Sequence, residues 1–231
     1  QTGAGLGIVG KFDIVSSMTC PDLAEKNNPM SQLSAYQTEY HSSITDPESF
    51  WADKSRAIAW FTPPTSILSR DENGMDRWFA DGELNTAYLA LDRHIANGRG
   101  DQTALIYDSP VTDTKQVYTY NALRDAVARF AGVLRSNGVG RGDRVVIYMP
   151  MIPEAVIAML AVARLGAIHS VVFGGFAPHE LAVRIDDAEP RVIVSASCGI
   201  EFNNVIAYKP MLDEAIEQAQ FKPGCCVIVQ R

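Results

Sequence analysis

The chain has 231 residues, of which 47% are hydrophobic and 20% charged, and a formal net charge of -7. That composition describes a globular protein with room for one large core or two smaller ones, and it excludes a disordered tail. The acidic balance, with no basic cluster to offset it locally, argues against a nucleic-acid surface, and the longest apolar run, 155–163, stops at Arg164, too short to span a bilayer.

The four cysteines form no C-x-x-C pattern, and Cys225 and Cys226 are adjacent in a strand-like run, where their side chains point to opposite faces. Without a signal peptide, reduced thiols and a cytoplasmic protein are the expectation. Histidines 41, 94, 169 and 179 show no metal-ligand spacing.

Residues 1–29 differ from the rest of the chain. The sequence opens on Gln1, has no clear amphipathic period there, and is expected to carry a disordered or non-native extension up to a natural start at Met30. Gly5-Leu6-Gly7-Ile8-Val9-Gly10 fits the dinucleotide fingerprint G-x-G-x-x-G. The fingerprint needs a strand before it, and only four residues precede it, so an NAD(P)-dependent oxidoreductase is the weakest reading. No arginine occurs before Arg56, which argues against a mitochondrial presequence.

Residues 30–85 predict a helical and irregular lead-in. Asp46-Pro47-Glu48 supplies an N-cap, a proline suited to the first turn and an acid at the positive dipole end. The helix it opens is expected to carry Phe50, Trp51, Ile58 and Trp60 before Pro63 and Pro64 stop it. The three tryptophans here are expected to anchor one layer on another.

Residues 86–231 are regular. Thr86–Asn97 is amphipathic and ends at Gly98; Ala104–Tyr107 and Val117–Tyr120 predict short strands around a turn. Residues 121–136 put Leu123, Val127, Phe130, Ala131 and Leu134 on one helix face. Strand and helix then alternate: 145–148, 153–165, 168–173, 179–187, 192–196, 211–219 and 227–229. Val- and Ile-rich runs with little alternation indicate strands covered on both faces, hence an α/β fold with a mostly parallel sheet. The alternation halts directly after a strand at Gln230-Arg231, so either a partner covers that face or the sheet is incomplete.

Ligands of open α/β sheets sit beyond the carboxyl ends of the strands. Three strand exits qualify: Tyr148–Glu154, a proline-fixed bend; Phe173-Gly174-Gly175-Phe176; and Ser197–Asn204, ending in polar side chains that no core demands. Paired glycines permit positive φ and close approach of a ligand or another backbone.

RWFADGELNTAYLALDRHI (77–95), GVGRGDRVVIYMPMIPEAVIAMLAVARLGAIHSVVFGGF (138–176) and RIDDAEPRVIVSAS (184–197) together resemble the AMP-forming short-chain acyl-CoA synthetases, with acetate–CoA and propionate–CoA ligases nearest. The resemblance runs from about Leu33 to Arg231. It implies an adenylate-forming enzyme: a small carboxylic acid attacks the α-phosphate of ATP, pyrophosphate leaves, and the CoA thiol captures the acyl-adenylate. ATP and CoA are then co-substrates and Mg2+ a cofactor with no ligands in this chain. It further implies that Phe173, Gly174 and Gly175 wall the channel for the CoA arm, and that Glu201, Phe202, Asn203 and Asn204 align with the contacts to the CoA nucleotide. Acetate-specific members carry arginines in that second stretch, whereas here its last position is Asn204, and the wording CGIE…YKP is similar to the propionate branch.

The family's Ser/Thr/Gly-rich phosphate loop with lysine does not occur in the sequence, so no catalytic residue is assigned. Expected from the resemblance is the opening part of a propionate–CoA ligase, inactive by itself. Acetate is the alternative substrate, and a non-catalytic CoA-binding module the alternative of another class.

Overall fold

This computed structural model describes residues 34–175 and 177–231. The expectations for residues 1–29, the Gly5–Gly10 match, Met30 and Phe176 lie outside the described residues.

The chain divides into two compact units between Trp51 and Ala52. In the first, Ser34 opens helix α1 (Ala35–Thr45) through a reciprocal cap: its hydroxyl accepts from the Gln37 N–H at 3.3 Å, and the Gln37 carboxamide accepts from the Ser34 N–H at 2.9 Å. Helix α2 (Pro47–Ser55) starts as its sequence predicts, with an Asp46 carboxylate oxygen accepting from the Ser49 N–H at 3.2 Å. It ends earlier than expected. Tight bonds from Arg56, Ala57 and Ile58 back to the carbonyls three residues before wind the chain up, and the Trp60 indole N–H donates to the Ser55 carbonyl at 2.9 Å.

Within the second unit, strands β1 (Leu68–Arg70) and β2 (Asp76–Trp78) pair as an antiparallel hairpin that the sequence reading missed. Trp60 packs on Phe79 and serves as the expected anchor, but Trp51 and Trp78 are 41% and 45% exposed. From Thr86 the chain is helical, with π-helical turns at Tyr88–Asp92 and Ile95–Arg99. Gly98 takes the left-handed conformation (φ +76°) expected of a helix stop. The Asn85 carboxamide donates to the carbonyls of Ala163 and Arg164, which ties the start of this stretch to the end of a later helix.

Strands β3 (Thr103–Ser109) and β4 (Thr114–Thr119) form an antiparallel hairpin leading into helix α3 (Tyr120–Ser136), capped by the Thr119 hydroxyl. Strand β5 (Arg144–Met149), helix α4 (Pro153–Arg164), strand β6 (Ile168–Phe173), helix α5 (Pro178–Ala188) and strand β7 (Val192–Ala196) come next, as predicted. A short hairpin, β8 (Cys198–Glu201) and β9 (Asn204–Ala207), replaces the expected loop after β7. Helix α6 (Tyr208–Gln218) begins three residues earlier than Met211, because Pro210 in its first turn needs no N–H partner. Strand β10 (Cys225–Val229) closes the described chain.

The main sheet is four parallel strands in the order β6–β5–β7–β10. Strands β5 and β7 are covered on both faces as their unalternating Val/Ile runs demand, but β6, which has a neighbour on one side only, is not: Ile168, Val171 and Phe173 are exposed. Val145, Ile147 and Met149 of β5 join the core beneath α3 and α4, whereas Val146 and Tyr148 face α5 and α6. Cys225 packs with the first core and Cys226 with the second, on opposite faces as expected, and burial pushes the Cys226 thiol up. The chain runs outward from β5 to β6, then returns to β7 on the other side of β5. That reversal makes the carboxyl ends of β5 and β7 a topological switch point.

Candidate functional site

At that end of the sheet, the turn after β5, the exit of β6 and the hairpin β8–β9 enclose a cavity of about 260 Å3. It brings Phe173, Gly174 and Glu201 together, with Met149 to Met151, Gly199 and Ile200 beside them. Two of the three strand exits singled out from sequence therefore meet across one space, and the third supplies its remaining wall.

The reason for glycine at 174 is more specific than an open passage. A β-carbon built there would lie 2.5 Å from the Tyr208 hydroxyl oxygen and 2.9 Å from the Met149 carbonyl oxygen. Across the ring, a β-carbon on Gly199 would meet Tyr208 Oη at 2.7 Å and Cζ at 2.8 Å. Tyr208 thus fills the slot between two glycines, one from the β6 exit and one from the hairpin. Gly175 is different: its φ is +116°, and among the described residues other than its chain neighbours a β-carbon would meet only the Phe173 ring, at 4.0 Å. Here glycine answers to backbone conformation, and the space beside it is open.

Tyr208 is 2% exposed and stacks on Tyr148, with ring centroids 5.0 Å apart and planes inclined by 28°. Burial raises the Tyr148 phenol, and the backbone of Gly175 beside it tempers that rise. Burial pushes both phenols up, keeping them protonated at neutral pH. The start of α6 is fixed by the Tyr208 N–H donating to the Ser197 carbonyl at 3.0 Å. Beneath it, the buried Ser195 hydroxyl donates to the Tyr148 carbonyl at 2.8 Å and binds β7 to β5.

The remaining sequence-predicted residues sit at the hairpin tip. Glu201 pairs with Asn204 across the turn formed by Phe202 and Asn203. Phe202 has φ +51° and is 88% exposed, an unusual conformation and setting for a phenylalanine. Phe202, Asn203 and Asn204 do not line the cavity; they flank it. Lys209 ion-pairs with Asp213 one turn along α6, at 2.6 Å, rather than reaching toward the tip. Among the described residues no three His, Cys, Asp or Glu side chains converge as a metal site, so no residue is assigned to Mg2+. No helix of the described residues is long and apolar enough to cross a membrane.

Sequence reasoning missed Gly199 and Tyr208. The only signals were an isolated glycine after Cys198 and an aromatic residue before Lys209-Pro210, and neither reveals that the one fills the space the other leaves.

The family model for AMP-binding enzymes matches residues 92–231, well over half of the chain. The chain belongs to that family. A second family model, for the N-terminus of acetyl-coenzyme A synthetase, matches residues 36–90. The human mitochondrial protein named acyl-CoA synthetase short-chain family member 3 is 50% identical over 198 residues, covering 86% of this chain and 29% of its own length. The propionate–CoA ligase of Escherichia coli is 48% identical over 192 residues, or 83% of this chain and 30% of that protein. Among solved structures, acetoacetyl-CoA synthetase from Streptomyces lividans superimposes with a TM-score of 0.74 at 26% identity, over 86% of this chain and 30% of that one. The chain therefore spans about 30% of the length of the relatives it matches. The α/β fold inferred from the strand–helix alternation is the fold that this likeness supports.

Proposed function

We propose that the chain is part of an AMP-forming acid–thiol ligase that converts propionate, ATP and CoA to propionyl-CoA, AMP and pyrophosphate, and that it contributes one bank of the CoA site. The observation that carries this reading is the meeting of Phe173 and Gly174 with Glu201 around one cavity at the switch point of the sheet. The open side of Gly175 lets a ligand approach the backbone closely, and the exposed Phe173 ring offers an apolar wall. Phe202, Asn203 and Asn204, at the mouth, are placed for the nucleotide end of CoA. ATP has no such fit in these residues: no lysine lies in a glycine-rich phosphate loop. The adenylating step is accordingly assigned to parts of the enzyme other than this chain, which by itself is expected to form no AMP.

Propionate is favoured by the CGIE…YKP wording and by a relative named for that acid. Acetate is the second reading, favoured by the match to the acetyl-coenzyme A synthetase N-terminus. The domain division proposed is an extension at 1–29, a lead-in at 30–85 and the start of the AMP-binding domain from 86 onward. A cytoplasmic location is proposed on the expectation of reduced thiols, Cys198, Cys225 and Cys226 being free among the described residues, and the human relative named mitochondrial is the counter-case that localisation of the intact enzyme would test. The test is AMP and acyl-CoA formation by the intact enzyme on each acid. A higher kcat/KM on propionate supports the assignment, a preference for acetate replaces the substrate, and CoA binding without AMP formation leaves only a CoA-binding module.

A further inference from the structure

We infer that the Tyr208 hydroxyl is a ligand-binding group of this cavity, donating a hydrogen bond to the amide-bearing arm of CoA; the inference rests on the CoA-site reading above. Tyr208 is 2% exposed and lines the cavity, yet among the described residues its hydroxyl makes no hydrogen bond. Every fully buried side-chain polar atom among the described residues has a partner. The hydroxyl escapes that accounting by opening onto the cavity, between the α-carbons of Gly174 and Gly199. Leaving a phenol there without a protein partner has a cost that only a ligand or solvent in the cavity offsets.

The surroundings select the kind of ligand. Met149, Val171, Phe173 and Ile200 give apolar walls, and Tyr208 is the donor set among them. A slender chain that carries amide carbonyls matches such a lining, mostly apolar with one placed polar group. Phosphates do not match it. Glu201, an acidic residue, is part of the same lining, and the nearby Lys209 is held by Asp213. The arm of CoA, with its two amides, therefore occupies the cavity, while its nucleotide stays at the hairpin tip. Since Tyr208 stays protonated when buried, the hydroxyl is a donor throughout the neutral range.

The experiment is calorimetric titration of the intact protein and its Tyr208→Phe variant with CoA, pantetheine and 3′,5′-ADP, alongside thermal melts. Phenylalanine keeps the ring in the glycine slot and removes only the hydroxyl. Expected is a loss of about two- to tenfold in affinity for CoA and pantetheine, the effect of one neutral hydrogen bond, with 3′,5′-ADP affinity and the melting temperature unchanged. Equal CoA affinity in both proteins overturns the inference and leaves the CoA site standing. A lowered melting temperature with unchanged binding shows instead that the protein itself holds the hydroxyl. A loss shared equally by 3′,5′-ADP places the hydroxyl at the nucleotide end, against the inference. Failure of the unmodified protein to bind CoA or pantetheine removes the CoA-site reading and this inference with it.

Discussion

Replacing Gly199 with alanine is the sharpest probe of how Tyr208 locks the site. All three nearest neighbours of the new β-carbon are atoms of one ring: Tyr208 Oη at 2.7 Å, Cζ at 2.8 Å and Cε1 at 2.9 Å. The ring cannot swing aside, because it is buried and stacked on Tyr148. Overpacking of this kind costs about 1–3 kcal/mol, and the alanine recovers about 0.4–1 kcal/mol by stiffening the unfolded chain. A net loss of about 1–2 kcal/mol is expected, read as a lower urea midpoint with an unchanged slope. Tyr208→Ala alone should cost about 3–5 kcal/mol, as large-to-small changes at buried aromatics do. In the double variant the new methyl group enters the space that the ring vacates, so the combined loss should fall short of the sum by at least about 1 kcal/mol. Additivity within about 0.5 kcal/mol would refute the slot, because then the alanine meets something other than Tyr208.

Asn204→Arg should tighten CoA binding about tenfold or more in calorimetry, with little effect on pantetheine, if the hairpin tip faces phosphate; unchanged affinity would remove the tip from the nucleotide contacts. Arg164 grips Asp92 in a bidentate pair at 2.7 and 2.9 Å, with both side chains mostly buried, and its hydrogen bonds hold the Asp92 carboxyl below its ordinary value. Asp92→Asn should then destabilise by about 1–2 kcal/mol at neutral pH, and less in acid, where the unmodified carboxyl is itself protonated. The Thr65 hydroxyl, followed by the N–H groups of Ser66 and Thr65, brings the Asp81 carboxyl down from 3.8 to about 2. Its folded value is the lower one, so its stabilisation is complete above 3.8 and fades as pH falls toward 2; an Asp81→Asn variant should lose stability less steeply across that window. Ser195→Ala should cost about 1 kcal/mol through the lost bond to the Tyr148 carbonyl, measured by denaturant unfolding.

What could be read from the chain beforehand divides along a physical line. Strands β5 and β7 were legible because a parallel strand buried on both faces is written as a local apolar run, VVIYM and VIVSA; the run IHSVVF marked β6 as well, although at the sheet edge Ile168, Val171 and Phe173 stay exposed. Helices α3, α4 and α5 were legible because one face of each must match those strands. The hairpin β8–β9 was not: four-residue strands with exposed Asn204 and Val205 bury too little to leave a pattern, and their turn is made by Phe202 in a conformation that phenylalanine seldom adopts. For the site, Phe173-Gly174-Gly175 announced a close approach, but not of what. The structure answers differently for the two glycines, giving Gly174 to the Tyr208 ring and leaving Gly175 beside open space. Such complementarity joins residues 174, 199 and 208 through contacts that no local period encodes. Any change at 208 should therefore be felt on both walls of the cavity at once, a coupling that neither loop has alone.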